Sequence, residues 1–248
     1  MANPLKQFEI TPLLPLHVGN FDVSFTNSSL WMAIGVVVSL IFMTLAVKPK
    51  AQVPGRLQMA SEMLYEFIAS MIRENVGPKG RKFFPLIFTL FVVVMLGNSL
   101  GLIPFSFTYT SHIIVTVALA LMIFMMVIVI GFFKHGFHFF SLFIPPGTPV
   151  WLAPFIFVLE LVSFFVRPIT LSVRLFANMM AGHIVLKVFA GFAVSFIALG
   201  SVGYLAAIVP TVFNAVLIAF ELLIAYLQAY VFTILSCIYL KDALEIEH

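Results

Sequence analysis

Charged side chains and cysteine are both scarce in this chain of 248 residues, and their scarcity excludes several classes of protein. Only 9% of the residues are charged, against about 25% in an ordinary soluble domain. Positions 83–240 hold just six Asp, Glu, Lys or Arg residues, too few to cover the surface of a soluble fold. A soluble enzyme, a nucleic-acid-binding protein and a disordered linker are therefore excluded. The single cysteine, Cys237, has no partner for an intrachain disulfide.

Long apolar runs take the place of charge, and they predict an all-α membrane protein. Runs at 28–47, 83–103 and 112–133 approach the ~20 residues that an upright membrane helix needs. Segment 53–76 has apolar residues at helical spacing with charges between them. This pattern predicts an amphipathic helix that lies at the membrane surface or against a partner. An ordinary surface helix is the alternative.

Two further apolar runs, 150–190 and 204–240, are too long for upright spans. The 37 residues of the second run would measure ~55 Å as a helix, against a hydrocarbon core of ~30 Å. Each run therefore either breaks into two spans or forms one long oblique helix. We favour two long, steeply tilted helices joined as a hairpin. The chain is then one membrane domain, with an outer N-terminal segment 1–27 and an inner C-terminal tail 241–248.

Lysine and arginine are concentrated in loops that the positive-inside rule assigns to the cytoplasm. Loop 48–82 carries seven of them, loop 134–148 begins with Lys134, and loop 104–111 carries none. We therefore expect the N-terminus outside and the C-terminus in the cytoplasm. The apolar sequence starts late, without a cleavable signal or a transit-like segment, which favours a bacterial inner membrane over an organellar one.

Each of the two long runs carries a polar stripe. The first stripe falls within ~40° of helical phase and comprises Glu160, Arg167, Arg174 and Asn178. The second steps by seven residues through Asn214, Glu221 and Gln228, and Tyr239 lies close to the same line. Such residues sometimes only tie membrane helices together. Ionisable residues inside a membrane nevertheless mark ion or proton routes by default, so both stripes are candidate pathways.

Three motifs stand at 168–183 (PITLSVRLFANMMAGH), 221–230 (ELLIAYLQAY) and 98–107 (NSLGLIPFSF). Together they resemble subunit a of the rotary ATP synthases. That family has an Arg-Leu-Phe-(Gly/Ala)-Asn signature, here Arg174 to Asn178. Some of its members exchange the histidine and the acid that stand here as His183 and Glu221. This exchange suggests that the two side chains approach each other across the hairpin.

The resemblance implies a stator that faces a rotor ring of c subunits and passes protons through two offset half-channels. Proton flow would turn the ring and drive ATP synthesis in partner subunits, so the chain would not be catalytic by itself and would need no cofactor. The implied partners are the c-subunit ring, b-type peripheral stalk subunits, the remaining synthase subunits and the lipid bilayer. Sodium remains open as the coupling ion, although a proton is favoured. A stand-alone, ion-coupled secondary transporter or channel is the alternative function.

The resemblance also assigns roles to individual residues. Arg174 separates the half-channels and meets the rotor carboxylates, because an arginine stays charged and lowers the pKa of a nearby acid. The outer half-channel receives Asn178, His183, Glu221 and Gln228. Asn214 and Tyr239, the further members of the second stripe, are proton-pathway residues without an assignment to either half-channel. Asn98 either lines this channel or packs helices. The cytoplasmic half-channel receives Glu160, Arg167 and Thr170, although Glu160 and Arg167 fit a structural ion pair equally well.

Overall fold

The computed structural model describes residues 7–15, 17–18, 21–22, 24–47, 55–103, 106–144, 149 and 151–244. The α-helices in these ranges are α1 Asn27–Val47, α2 Arg56–Asn75, α3 Phe84–Gly101, α4 Ile113–His135, α5 Ala153–Ile197 and α6 Ser201–Leu244. Short 3₁₀ helices cover Pro78–Phe83, Tyr109–Ser111 and Gly136–Phe143. Before α1, strand β1 (Pro12–Leu14) pairs antiparallel with β4 (Phe25–Thr26), and β2 (His17–Val18) pairs with β3 (Phe21–Asp22).

Among the described residues, five helical segments are long and apolar enough to cross a membrane. They are Asn27–Leu45, Pro78–Gly101, Ile113–His135, Ala153–Ile197 and Gly203–Leu244. The helix α2 is amphipathic, with an apolar face and a charged face. The predicted all-α membrane fold, with about five spans and one amphipathic helix, is therefore confirmed. The short strands before α1 were not predicted, because two or three residues carry too little alternation to be recognised.

The two C-terminal helices, α5 and α6, are continuous over 45 and 44 residues. At 1.5 Å per residue each is roughly 66 Å long, about twice the hydrocarbon thickness. Neither run breaks into two spans, and the prediction of two long helices is confirmed. α5 continues past residue 190 to Ile197. The turn comes only at Gly200, whose φ of +86° ends the helix in a conformation that glycine adopts without strain.

The chain divides into two compact units, and the first contains a tight helical turn. Its described residues fall within Met1–Phe42, Val92–His112 and Leu175–Ala229. At the turn between α5 and α6, the Leu199 N–H donates to the carbonyl oxygen of Phe196 at 2.9 Å. Gly203 comes so close that a Cβ there would lie 1.9 Å from the same oxygen. The rings of Phe189 and Phe213 then pack with their centroids 4.6 Å apart, which holds the two helices together below the turn.

The second unit is built around aromatic packing. Its described residues fall within Met43–Phe91, Ile113–Arg174 and Tyr230–His248. The amphipathic helix α2 buries Ile68, Met71 and Ile72 and packs Tyr65 against Phe84 at the start of α3, with ring centroids 4.6 Å apart. A cluster of rings joins α4, the 3₁₀ helix that follows it and α5, and its members include Phe124, Phe132, Phe139, Phe143 and Phe164. Dispersion contacts of this kind stabilise a bundle in lipid, where helix association gains no hydrophobic free energy.

The close approach at the turn makes Gly203 a test of the hairpin. We expect Gly203→Ala to lower the stability of the folded chain by about 1–3 kcal/mol, because the new methyl group must displace backbone atoms. The measurement is the midpoint of thermal unfolding in detergent. The control is Gly191→Ala, inside α5, where a Cβ meets nothing within 4 Å. That change should leave the midpoint unchanged or raise it, since alanine favours a helix. Equal midpoints for the two variants would contradict the close approach.

Candidate functional site

A buried histidine and a buried glutamate meet between the two long helices of the first unit. His183 of α5 and Glu221 of α6 are 8% and 4% exposed. The Nδ1 atom of His183 is hydrogen-bonded to Oε1 of Glu221. An isolated charge would be costly in such surroundings, whereas a hydrogen-bonded pair satisfies both groups. The approach that the sequence suggested for these two residues is present in the structure.

The other ring nitrogen of His183 faces two oxygen atoms. Its Nε2 lies 2.9 Å from the carbonyl oxygen of Gly101 and 2.8 Å from Oγ1 of Thr108. A carbonyl oxygen only accepts hydrogen bonds, so the first contact requires a proton on Nε2. The proton between Nδ1 and Glu221 then belongs either to an imidazolium facing a carboxylate or to a carboxylic acid facing a neutral imidazole. The pair therefore shares one proton, which can be bound either to His183 or to Glu221.

Two glycines make room for these contacts. A Cβ at Gly182 would lie 2.6 Å from Oε1 of Glu221, and a Cβ at Gly101 would lie 2.3 Å from Oγ1 of Thr108. Both distances are shorter than any real carbon–oxygen contact of this kind, so a side chain at either position would displace its neighbour. The absence of a side chain at Gly182 is what lets the carboxylate reach His183.

Two cavities in the first unit adjoin the pair. Cavity A, of about 580 Å³, is lined by His183 together with the polar residues Gln7, Asn27, Ser106 and Lys187. Cavity B, of about 230 Å³, is lined by Glu221, Asn178 and Gly182 and by apolar residues of both long helices. The second carboxylate oxygen of Glu221, Oε2, is buried and has no hydrogen-bond partner among the described residues. The histidine thus borders one cavity and the glutamate the other.

Further polar residues of the first unit lie around this pair. Asn98 is fully buried on α3, and its Nδ2 donates to the carbonyl oxygen of Ala225 on α6 at 3.3 Å, while its Oδ1 has no partner among the described residues. Gln228 is buried and Asn214 is half-buried. The Tyr109 hydroxyl donates to Val93 O at 3.0 Å. Burial raises the pKa of Tyr109 to about 12, so this phenol stays a neutral donor.

Arg174 differs from these groups because it is exposed. In the part of the chain that the structure describes, its side chain makes no hydrogen bond or ion pair. Thr170, one turn earlier on α5, is exposed too, and its hydroxyl donates to the carbonyl oxygens of Val166 and Arg167 on its own helix. A permanent cation that has no partner among the described residues is available to an acid on another chain.

In the second unit, Arg167 forms an ion pair with a different acid from the one that the sequence suggested. Nη1 of Arg167 donates to Oδ2 of Asp242 at 2.7 Å, and its guanidinium carbon lies 5.2 Å from the ring centroid of Tyr239. Glu160 is half-buried, and the suggested Glu160–Arg167 ion pair is absent from the described residues. The partner of Arg167 is therefore an acid near the end of α6. The sequence places this acid on the second polar stripe, because the seven-residue step from Asn214 reaches position 242 after four repeats.

Comparison with known proteins decides the family. Residues 29–241 match the ATP synthase A chain family. The chain belongs to this family. ATP synthase subunit a of Mesorhizobium japonicum is 53% identical over 247 residues, covering 100% of this chain and 98% of that protein. The proteins of the same name from Parvibaculum lavamentivorans and Paramagnetospirillum magneticum are 51% and 53% identical, covering 100% and 98% of this chain and 95% and 99% of their own lengths.

Membership of the ATP synthase A chain family confirms the resemblance drawn from the three motifs. The matched residues run from α1 to α6, so the match covers the whole membrane bundle rather than one motif. The alternative of a stand-alone transporter or channel therefore loses its support. Every predicted site residue lies within the match, which ends one residue before Asp242.

The clearance at Gly182 gives a direct test of the site's geometry. We expect Gly182→Ala to reduce ATP-driven proton pumping in inverted membrane vesicles at least about tenfold, which corresponds to ~1.4 kcal/mol, because the methyl group pushes the Glu221 carboxylate away from His183. Gly191→Ala on the same helix, where a Cβ has open space, should pump normally. Normal pumping by an assembled complex that carries Gly182→Ala would show that the contact does not matter.

Proposed function

We propose that this chain is the proton-conducting subunit of a rotary ATP synthase. It is a multi-pass membrane protein, its family is that of the ATP synthase A chain, and similar proteins are named ATP synthase subunit a. In the proposal, protons cross through two offset half-channels where the chain faces a ring of c subunits. Their flow turns the ring, and partner subunits make ATP. The chain itself then performs no catalysis and holds no cofactor.

The observation that carries this proposal is the buried His183–Glu221 pair, in which the histidine lines one cavity and the glutamate lines another. With Nε2 already protonated, an imidazolium can release its Nδ1 proton to Glu221, and the carboxyl group can pass it into cavity B towards Asn178. The neutral imidazole keeps its proton on Nε2. Water in cavity A, which His183 lines, then returns a proton to Nδ1, and atoms and charges are back in their starting state. An imidazole relays protons but not sodium ions, so the pair favours a proton as the coupling ion.

Thr108 and Gly101 have a positioning role in this step. Their oxygen atoms face Nε2 and hold the plane of the imidazole so that Nδ1 points at Glu221. Gln228, Asn98 and Asn214 carry amide groups, which order water rather than carry charge. Of these, Asn98 also links α3 to α6 through its bond to Ala225, so packing and channel lining both remain roles for it.

Arg174 provides the electrostatic barrier of the proposal. As a permanent cation with no hydrogen bond or ion pair in the described part of the chain, it attracts a rotor carboxylate and keeps it ionised by lowering its pKa. It also repels protons that would otherwise pass directly between the half-channels. Asn178, four residues along α5, lies next to cavity B. A proton that leaves cavity B therefore reaches the rotor near Arg174, where the rotor carboxylate has just released its preceding proton.

The inner half-channel is proposed to pass Glu160, Thr170, Arg167 and Tyr239. The ion pair between Arg167 and Asp242 satisfies two charges beside this path. By the positive-inside rule this end faces the cytoplasm, with the N-terminus outside, in a bacterial inner membrane. The proposed partners are the c-ring, the b-type peripheral stalk and the remaining synthase subunits.

Removing the Arg174 charge tests this function. We expect Arg174→Ala to abolish ATP-driven proton pumping in inverted vesicles while the complex still assembles, because nothing then keeps the rotor acid ionised. Arg174→Lys should lose most of it as well, since an ammonium can give up its proton in such a site. Arg56→Ala, which removes an exposed arginine from the amphipathic helix α2, is the control and should pump normally. Pumping by the Arg174→Ala complex at the control rate would overturn the proposal.

A further inference from the structure

A third cavity lies in the second unit, apart from the pair and its two cavities. It is cavity C, of about 670 Å³, which falls within the usual size of ligand sites. α2 contributes Tyr65, Ala69, Ile72 and Arg73 to its wall, and the chain after α2 contributes Gly77, Pro78, Arg81, Phe84 and Pro85. Its lining therefore combines two guanidinium groups with aromatic and aliphatic side chains. No step of the proposed proton path uses it.

Neither arginine of cavity C is neutralised within the described residues. Arg73 and Arg81 are exposed, and neither has an ion pair or hydrogen bond in the part of the chain that the structure describes. Positions 73–82 hold four cations and a single acid, Glu74. Two unpaired guanidinium groups on one cavity wall suit a ligand with phosphate oxygens, because the guanidinium fork matches their geometry.

The turn that carries Arg81 is held in a fixed shape. Gly77 has a φ of +78°, a conformation that other residues rarely adopt. Gly80 packs so tightly on the end of α2 that a Cβ there would lie 2.7 Å from Val76 and 2.8 Å from Ile72. The positions of both arginines relative to the cavity are therefore set by the backbone rather than by a free loop.

The location of cavity C identifies the kind of phosphate. It lies between an amphipathic helix and Pro78–Gly101, at the point where this candidate span begins. The start of a span next to an amphipathic helix is the level of lipid headgroups. The ring of Tyr65, packed on Phe84, is typical of that level. Basic pockets on the cytoplasmic side bind anionic lipid headgroups, and the seven cations of loop 48–82 predict this side.

We propose that cavity C binds the headgroup of an anionic phospholipid, with Arg73 and Arg81 on its phosphate oxygens. The apolar wall formed by Ile72, Phe84 and Pro85 accommodates the upper part of its acyl chains. A zwitterionic lipid carries a cation that these arginines repel, so the site distinguishes lipids by charge. The bound lipid joins α2 to the start of α3 and so stabilises the second unit.

The test uses the full chain purified in a neutral detergent. We expect added phosphatidylglycerol to raise the midpoint of thermal unfolding by about 3 °C or more, and phosphatidylcholine to have little effect. The double variant Arg73→Gln/Arg81→Gln should lose this shift. The matched control is Arg56→Gln/Lys82→Gln, which removes the same charge from exposed positions that do not line the cavity. It should keep the shift.

Three outcomes would overturn the proposal. One is the absence of a shift with phosphatidylglycerol in the unsubstituted chain. Another is an equal loss of the shift in the two double variants, which would indicate a general charge effect. The third is an equal shift with inorganic phosphate alone, which would identify a soluble anion rather than a lipid. Native mass spectrometry gives a second measurement that does not depend on stability. There the unsubstituted chain should retain one more phosphatidylglycerol molecule than Arg73→Gln/Arg81→Gln.

Discussion

A histidine and a glutamate buried inside an apolar helical bundle must satisfy each other, because burial removes most of the water that would otherwise solvate them. This requirement explains most of what surrounds His183 and Glu221. Gly182 leaves the space that the carboxylate occupies, and the turn after α3 supplies the oxygen atoms that face the far ring nitrogen. The long, continuous helices α5 and α6 then keep the two side chains in register from their connecting turn at Gly200.

Some charges of the membrane segments are satisfied within the chain, and Arg174 differs from these. Arg167 with Asp242, and Lys134 with the carbonyl oxygen of Leu244, are satisfied inside the chain. Such contacts remove the cost of a charge in lipid and fix the end of α6. Arg174 is left exposed without a hydrogen bond among the described residues, which is expensive for a protein in lipid unless another chain supplies the counter-ion. That contrast supports a rotor-facing role for Arg174 and a supporting role for Arg167.

The sequence predicts those features that periodicity and length control. The long runs from 150 to 190 and from 204 to 240 could only be long helices or broken spans, and the seven-residue steps placed Glu221 and Gln228 on one face. It does not predict contacts made by loops and backbone atoms. The carbonyl oxygen of Gly101 and the hydroxyl of Thr108 reach His183 across 82 and 75 positions, and no local pattern encodes such distances. Asp242 lies in segment 241–248, which the sequence assigns to the C-terminal tail, although the seven-residue step leads to it. Cavity C arises from the packing of α2 on the start of α3, which sequence periodicity does not describe.

The central claim is that a proton passes between His183 and Glu221, and exchanging the two residues tests it most directly. The measurement is ATP-driven proton pumping by His183→Glu, by Glu221→His and by the two together, with assembly of the complex checked in each case. Each single change leaves two acids or two imidazoles facing each other, so each should reduce pumping at least about tenfold. The double variant restores one imidazole and one carboxylate, and it should recover much of the lost rate. A double variant that pumps no better than the singles, or single variants that pump normally, would contradict a shared proton.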